Sequence, residues 1–239
     1  MRPFIQKKML IYNEKLGYVI STLINHSGIQ AGFGTRFFET NSLSDNFSTY
    51  QFKQIHSSTV SMIDEETPLL IPDSDAGITD KKNRCLIIRT SDCVPIIYAD
   101  HRNGIIAISH NGWKGTLLNL SAKIIDQMLS CGASLQRICV AIGPSIGPCC
   151  YRIFGERYKM FAQTYPELIK KVCVTGDSNK GLNLGLLNYY LFLKAGVLKE
   201  NIDYRCYCTS CDESRFYSYN RDRSTKSMYS FVLKYDHNR

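Results

Sequence analysis

Short runs of Ile, Val, Leu and Tyr bounded by turn residues mark the first half of the chain, and runs with helical spacing mark much of the second. The short runs predict strands over 18–24, 51–56, 85–89, 94–99 and 105–110. Several are nearly continuous rather than alternating, which predicts strands covered on both faces. From Thr116 the period changes: Leu117, Leu120, Ile124, Ile125, Met128 and Leu129 recur at helical spacing, predicting one helix that stops at Gly132. A strand over 137–142 follows, then the punctuation Gly143-Pro144 to Gly147-Pro148, then helices over 154–164 and 184–193. Strands over 202–206, 215–219 and 227–233 close the chain. The expected fold class is α/β (mixed α+β), a single domain over 1–239 with mixed β-sheets layered against helices.

Composition supports a packed domain: 44% of residues are apolar and 21% charged. The net charge of +8 comes from scattered Lys and Arg, with clusters no larger than pairs such as Lys7-Lys8 and Lys81-Lys82. That distribution argues against nucleic acid as a partner and suits small anionic substrates or a generally solvated basic surface. The segment from Met1 to Lys8 lacks the apolar stretch of a secretory signal, and no apolar run reaches bilayer length, so a cytoplasmic protein with no membrane partner is expected. In that setting the ten cysteines read as thiols or metal ligands rather than a disulfide framework.

His56 and His110 fall at the ends of predicted strands, and Cys93 lies in the sharp connection Thr90-Ser91-Asp92-Cys93-Val94-Pro95. Strand ends can converge on one rim. A His/Cys/His set suits tetrahedral zinc, and three protein ligands leave a fourth position for water or substrate. By spacing alone a strand-end histidine more often serves structure than binds a metal. Asp92 adjoins Cys93 and Asp75 heads an Asp-Ala-Gly phrase; each could orient a ligand, move a proton, or cap a turn. The Gly112 to Thr116 turn, with Lys114, opens a predicted helix and could bind an anion, or the glycines could only shape the turn. Trp113 reads as core before stacking platform, and His101 has no assigned role. Cys149-Cys150 and the Cys206, Cys208, Cys211 group contain zinc-knuckle spacing, but the expectation is structural thiols packed as small apolar residues.

Whole phrases carry a further signal: Gln54-Ile55-His56-Ser57, Asp75-Ala76-Gly77-Ile78-Thr79, Ser91-Asp92-Cys93-Val94-Pro95, Ser109-His110-Asn111-Gly112-Trp113-Lys114-Gly115, Ala141-Ile142-Gly143-Pro144 through Cys149-Cys150-Tyr151, and Cys208-Thr209-Ser210-Cys211 followed by Phe216-Tyr217-Ser218-Tyr219. In this order, from about Gly32 to Phe231, they resemble the multicopper polyphenol oxidase-like (laccase domain) family, whose members are regarded as zinc-dependent purine nucleoside phosphorylases. The resemblance implies zinc bound by His56, Cys93 and His110, and phosphorolysis of adenosine, guanosine, inosine and methylthioadenosine alongside adenosine deamination. It also implies purine nucleosides and phosphate as partners. Arg36 and Lys114 become candidate substrate contacts, Lys114 for phosphate. The chain departs from the family where Phe37-Phe38-Glu39 follows Arg36, where Asn111 and Lys114 replace Ala and Arg, and where Thr225-Lys226-Ser227-Met228 lacks an Arg; the substrate range could differ accordingly. Alternatives are a copper-dependent polyphenol oxidase, which five histidines scarcely supply, a cell-wall precursor editing hydrolase, and a non-catalytic zinc-stabilised interaction protein. Preferred nucleoside and oligomeric state are not legible in the sequence.

Overall fold

The computed structural model describes residues 10–26, 28–175 and 180–235, so the Lys7-Lys8 pair and the segment before it lie outside the described residues. Strands β9 (Val94–Asp100) and β10 (Ile105–Asn111) are buried at every position because both of their faces are covered. They lie in the middle of a six-stranded mixed sheet ordered β15 (Ile202–Tyr204), β11 (Cys139–Ile142), β9, β10, β7 (Ala76–Thr79) and β5 (Val60–Met62). Ile97, Ala99, Ile106, Ile108 and Ala141 point from it toward a second sheet. That sheet has seven strands, ordered β1 (Leu10–Asn13), β2 (Tyr18–Ser21), β3 (Ile29–Gly34), β16 (Met228–Lys234), β8 (Arg84–Thr90), β4 (Ser48–Phe52) and β6 (Leu70–Ile71). The opposite face of the six-stranded sheet, with Ile96, Tyr98, Ala107 and Val140, packs on α3 (Leu120–Ser130), α4 (Gly155–Thr164), α5 (Pro166–Val172) and α6 (Leu184–Lys194). The layers are therefore helices, six-stranded sheet, seven-stranded sheet. On the outer face of the seven-stranded sheet, Tyr18, Ile87, Phe231 and Leu233 gather with Leu43 of the short α1 (Asn41–Ser44). A small sheet of β12 (Arg152–Ile153), β14 (Lys180–Leu182) and β13 (Cys173–Thr175) completes the fold.

The helix expected from Thr116 is two. α2 (Trp113–Leu117) ends, Asn119 takes a left-handed φ of 53°, and α3 restarts. A buried polar cluster accounts for the break. Asn111 Nδ2 donates to Ser121 Oγ and to Asn188 Oδ1, each at 3.0 Å, and Asn188 Nδ2 donates to Thr116 Oγ1 at 3.1 Å. In one continuous helix Thr116 and Ser121 would point roughly 140° apart, so both reach Asn188 only because the axis changes between them. Leu129 accordingly faces outward at 37% exposure rather than into the core.

Other expectations also shift. β4 stops at Phe52 instead of 56, and 215–219 is not a strand. There the Asp212 and Ser218 side chains accept from the Arg215 and Arg221 amides, competing with any sheet ladder and starting α7 (Tyr219–Asp222). α5, with Pro166 at its first turn, was not expected. Among the described residues no helix is long and apolar enough to cross a membrane.

Candidate active site

The two large sheets are joined where β8 of one passes through residues 91–93 into β9 of the other, and Cys93 sits at this crossing. After β4 the chain stays on β8 through a side chain: Gln54 Nε2 donates to the Arg89 carbonyl and Gln54 Oε1 accepts from the Arg89 amide, both at 2.8 Å. It then turns at His56 with φ 60°, a left-handed conformation that needs outside support in a non-glycine residue. The support is Asp75. Its fully buried carboxylate accepts from the amides of Ile55, His56 and Ser57 at 3.2, 3.1 and 2.6 Å, and from Ser57 Oγ at 2.7 Å. The same carboxylate accepts from His110 Nδ1 at 2.8 Å. One buried acid thus positions both imidazoles, because β7 and β10 are antiparallel neighbours that bring Asp75 beside His110.

Cys93 Sγ lies 3.8 Å from His56 Nε2, and the potential ligand atoms of His56, Cys93 and His110 all fall within 4.8 Å of one another. Gly112 makes the crowding tolerable: a Cβ there would meet His56 Cδ2 at 2.9 Å and Cys93 Sγ at 3.2 Å. Burial opposes ionisation of Cys93, but the neighbouring His110 and His56 outweigh it and bring the thiol down to about 6. Burial likewise opposes the charged form of His110, and Cys93 with Asp75 outweighs it, raising the imidazole to about 9. Burial pushes the Asp75 carboxyl up, yet its bonds from His110 and Ser57 prevail and hold it near 2.

With its Nδ1 committed to Asp75, His110 presents Nε2 to the cluster. Two imidazole nitrogens and a thiolate so arranged could hold a divalent metal, and no fourth His, Cys, Asp or Glu among the described residues joins the set. Between about pH 6 and pH 9 the metal-free set carries a Cys93 thiolate and a His110 imidazolium. Metal uptake at about pH 7.5 is therefore expected to release about one proton, given up by His110. Calorimetric heats that scale with the ionisation enthalpy of the buffer would show it; heats independent of the buffer would contradict it.

The set opens onto two hollows. The larger, about 550 Å³, is lined by His56, Cys93, His110, Gln54, Arg89, Asp92, Tyr219 and Ser227 among others. The smaller, about 330 Å³, shares His56, Cys93, Asp92 and Tyr219 and adds Trp113, Tyr151, Arg157, Asn220 and Arg223. Asp92 accepts from Thr209 Oγ1 and from the Asn220 amide, both at 2.7 Å, and burial raises its carboxyl above the usual range despite them. The Tyr151 hydroxyl is buried and finds no hydrogen-bond partner among the described residues. Trp113 is half-buried, touching the core on one side and lining the smaller hollow, with the Arg157 guanidinium 4.6 Å from its ring centre. Two expected contacts are not among the residues that line these two hollows. Arg36 stacks over Tyr217 at 4.7 Å and donates to the Glu213 carbonyl at 2.9 Å. Lys114 is exposed, its ammonium 5.6 Å from the Trp113 ring centre. Sequence reasoning missed Tyr151, Arg157, Tyr219 and Arg223; Tyr151 and Tyr219 stood inside quoted phrases, whereas nothing in the sequence tied Arg157 to the site.

The profile of the multi-copper polyphenol oxidoreductase laccase family matches residues 35–234. The chain belongs to that family. Adenosine deaminase RL5, from an unknown prokaryotic organism, is 31% identical over 180 residues, covering 71% of this chain and 68% of RL5. Purine nucleoside phosphorylase LACC1 of Homo sapiens is 31% identical over 72% of this chain and 40% of that protein. Purine nucleoside phosphorylase YlmD of Geobacillus stearothermophilus is 32% identical over 68% of this chain and 60% of that protein. The match thus spans between two fifths and about two thirds of these relatives' lengths. The laccase-family fold recurs in the crystal structures of YfiH from Bacillus licheniformis, with TM-score 0.84 and 24% identity over 93% of this chain and all of that one, and of YlmD from Geobacillus stearothermophilus, with TM-score 0.83 and 22% identity over 96% of this chain and all of that one.

Proposed function

We propose that the protein is a cytoplasmic purine nucleoside phosphorylase with adenosine deaminase activity, acting on adenosine, guanosine, inosine and methylthioadenosine, with zinc held by His56, Cys93 and His110. The observation that carries this reading is the three-donor set with an unblocked side shared by two adjoining hollows, one of them lined by aromatic rings and guanidinium groups. The names borne by relatives at about 31% identity support it. The donor set also favours zinc over multicopper chemistry: among the described histidines, His26 and His101 stack on each other at 3.5 Å and do not join His56 and His110. Zinc held by His56, Cys93 and His110 would supply the Lewis acidity that deamination at the purine C6 needs.

The chain's own groups divide the remaining work. The exposed Tyr219 ring offers a flat apolar face to a purine, while Trp113, packed between the core and the Arg157 guanidinium, backs the wall of the smaller hollow. Asp92, with its raised pKa, is the group suited to give a proton to the departing base. The buried Tyr151 hydroxyl lies beside Arg157 and helps to set the position of that guanidinium. Arg157 and Arg223 line the smaller hollow, so we take them, ahead of Lys114 and Arg36, as the phosphate contacts. Arg157→Ala is expected to raise the KM for phosphate about tenfold or more, because a charge-assisted hydrogen bond contributes about 1.5–3 kcal/mol. Phosphate-independent deamination of adenosine should change far less. Initial rates at varied phosphate test this, with Lys114→Ala as the comparison. An unchanged phosphate KM in Arg157→Ala together with a raised one in Lys114→Ala would move the anion site back to the start of α2.

A further inference from the structure

The cysteines expected to pack as small apolar residues do not do so. Cys149 and Cys211 are exposed, Cys150 and Cys208 only half-buried, yet the four sulfurs lie within 4.8 Å of one another. Cys211 Sγ is 3.4 Å from both Cys149 Sγ and Cys150 Sγ. A disulfide needs a separation of about 2.05 Å. Four thiolates around one zinc at about 2.3 Å stand roughly 3.8 Å apart, which matches the spread seen here. The backbone is shaped to the same end. The Gly147 amide donates to Cys208 Sγ at 3.2 Å, the kind of N–H···S bond that stabilises a thiolate ligand, and a Cβ on Gly147 would meet Cys208 Cβ at 3.1 Å and Cys149 Sγ at 3.3 Å. Ser145 and Cys208 form a parallel bridge that fixes the two segments side by side. Cys206 lies outside the set, beside Tyr204.

We infer that Cys149, Cys150, Cys208 and Cys211 form a second, closed metal site that takes zinc through four thiolates and has no position for substrate. Its place in the fold gives it a task. The 147–151 turn carries Tyr151, and the 208–211 turn carries Thr209, whose hydroxyl bonds Asp92; both Tyr151 and Asp92 line the smaller hollow beside Cys93. Tying the two turns together holds one wall of that hollow. The inference does not depend on which reaction the His56, Cys93, His110 set performs.

Protein purified anaerobically should contain two zinc ions per chain, and zinc X-ray absorption should give about two to three sulfurs per ion, five thiolates being shared between two metals. The His56→Ala/His110→Ala variant should keep one zinc and, with cobalt in its place, show the intense sulfur-to-metal absorption of a tetrahedral four-thiolate site. Cys208→Ser/Cys211→Ser should also keep one zinc, melt at lower temperature and bind nucleoside more weakly. The inference is overturned if folded His56→Ala/His110→Ala protein holds no metal. It is equally overturned if wild-type absorption shows one zinc with a single sulfur, or if rapid alkylation of anaerobic protein finds a Cys149–Cys211 disulfide.

Discussion

His110→Ala is expected to remove the metal from the His56, Cys93, His110 set and to lower kcat/KM for inosine phosphorolysis by at least about 10³-fold, since even the loss of an outer partner of a metal ligand costs roughly 10–100-fold. His110 is the member with the most connections. It is 4% exposed, bonded to Asp75, and it provides the charge that lowers the Cys93 thiol. Its removal empties one ligand position and returns Cys93 toward a protonated thiol. His56→Ala should also cost the metal but disturb stability less, because His56 is exposed. Metal content measured beside circular dichroism separates ligand loss from unfolding. A folded His110→Ala protein with full metal content would remove His110 from the set.

Asp75→Ala is expected to damage stability and metal binding together. Four donors, the amides of Ile55, His56 and Ser57 and the Ser57 hydroxyl, lose their acceptor along with His110 Nδ1. A buried polar group left unpaired costs about 1–3 kcal/mol, so a total of at least about 3 kcal/mol is expected, lowering Tm by roughly 6–12 °C. Metal affinity should fall by roughly 10–100-fold as the His56 turn and the His110 ring lose their anchor. The pH dependence has a definite sign. The Asp75 carboxyl is held near 2 against an ordinary 3.8, so its contribution, roughly 2 kcal/mol, is present above pH 3.8 and is lost as pH falls toward 2. Asp75→Asn should therefore show a shallower acid limb than the wild type over that interval. Identical limbs in acid-unfolding curves would show that Asp75 is not the anchor.

How far the sequence reveals this arrangement depends on the physics of each part. β9 and β10 are legible because strands buried on both faces need apolar residues throughout, and their Ile-rich runs carry that requirement openly. The break between α2 and α3 is not legible, because a polar cluster around Asn188, far along the chain, overrides local helical periodicity. Residues 215–219 mislead for a similar reason: Phe216, Tyr217 and Tyr219 have strand composition, while the Asp212 and Ser218 side chains take over the local amides. Of the site, His56, Cys93 and His110 can be picked out through their motif phrases, but their meeting depends on a crossing between two sheets that spacing does not encode. The grip of Asp75 on the His56 turn needs the register of β7 against β10. Arg157 and the four-cysteine cluster come from segments whose proximity only the folded chain creates.

The most direct test of the proposed metal-dependent phosphorolysis is product identification with inosine, using protein stripped by a chelator and then resupplied with zinc. Hypoxanthine and ribose 1-phosphate should form in equal amounts when zinc and phosphate are both present, and neither should form when one is withheld. Release of hypoxanthine with free ribose in the absence of phosphate, or undiminished turnover by the stripped protein, would contradict the account.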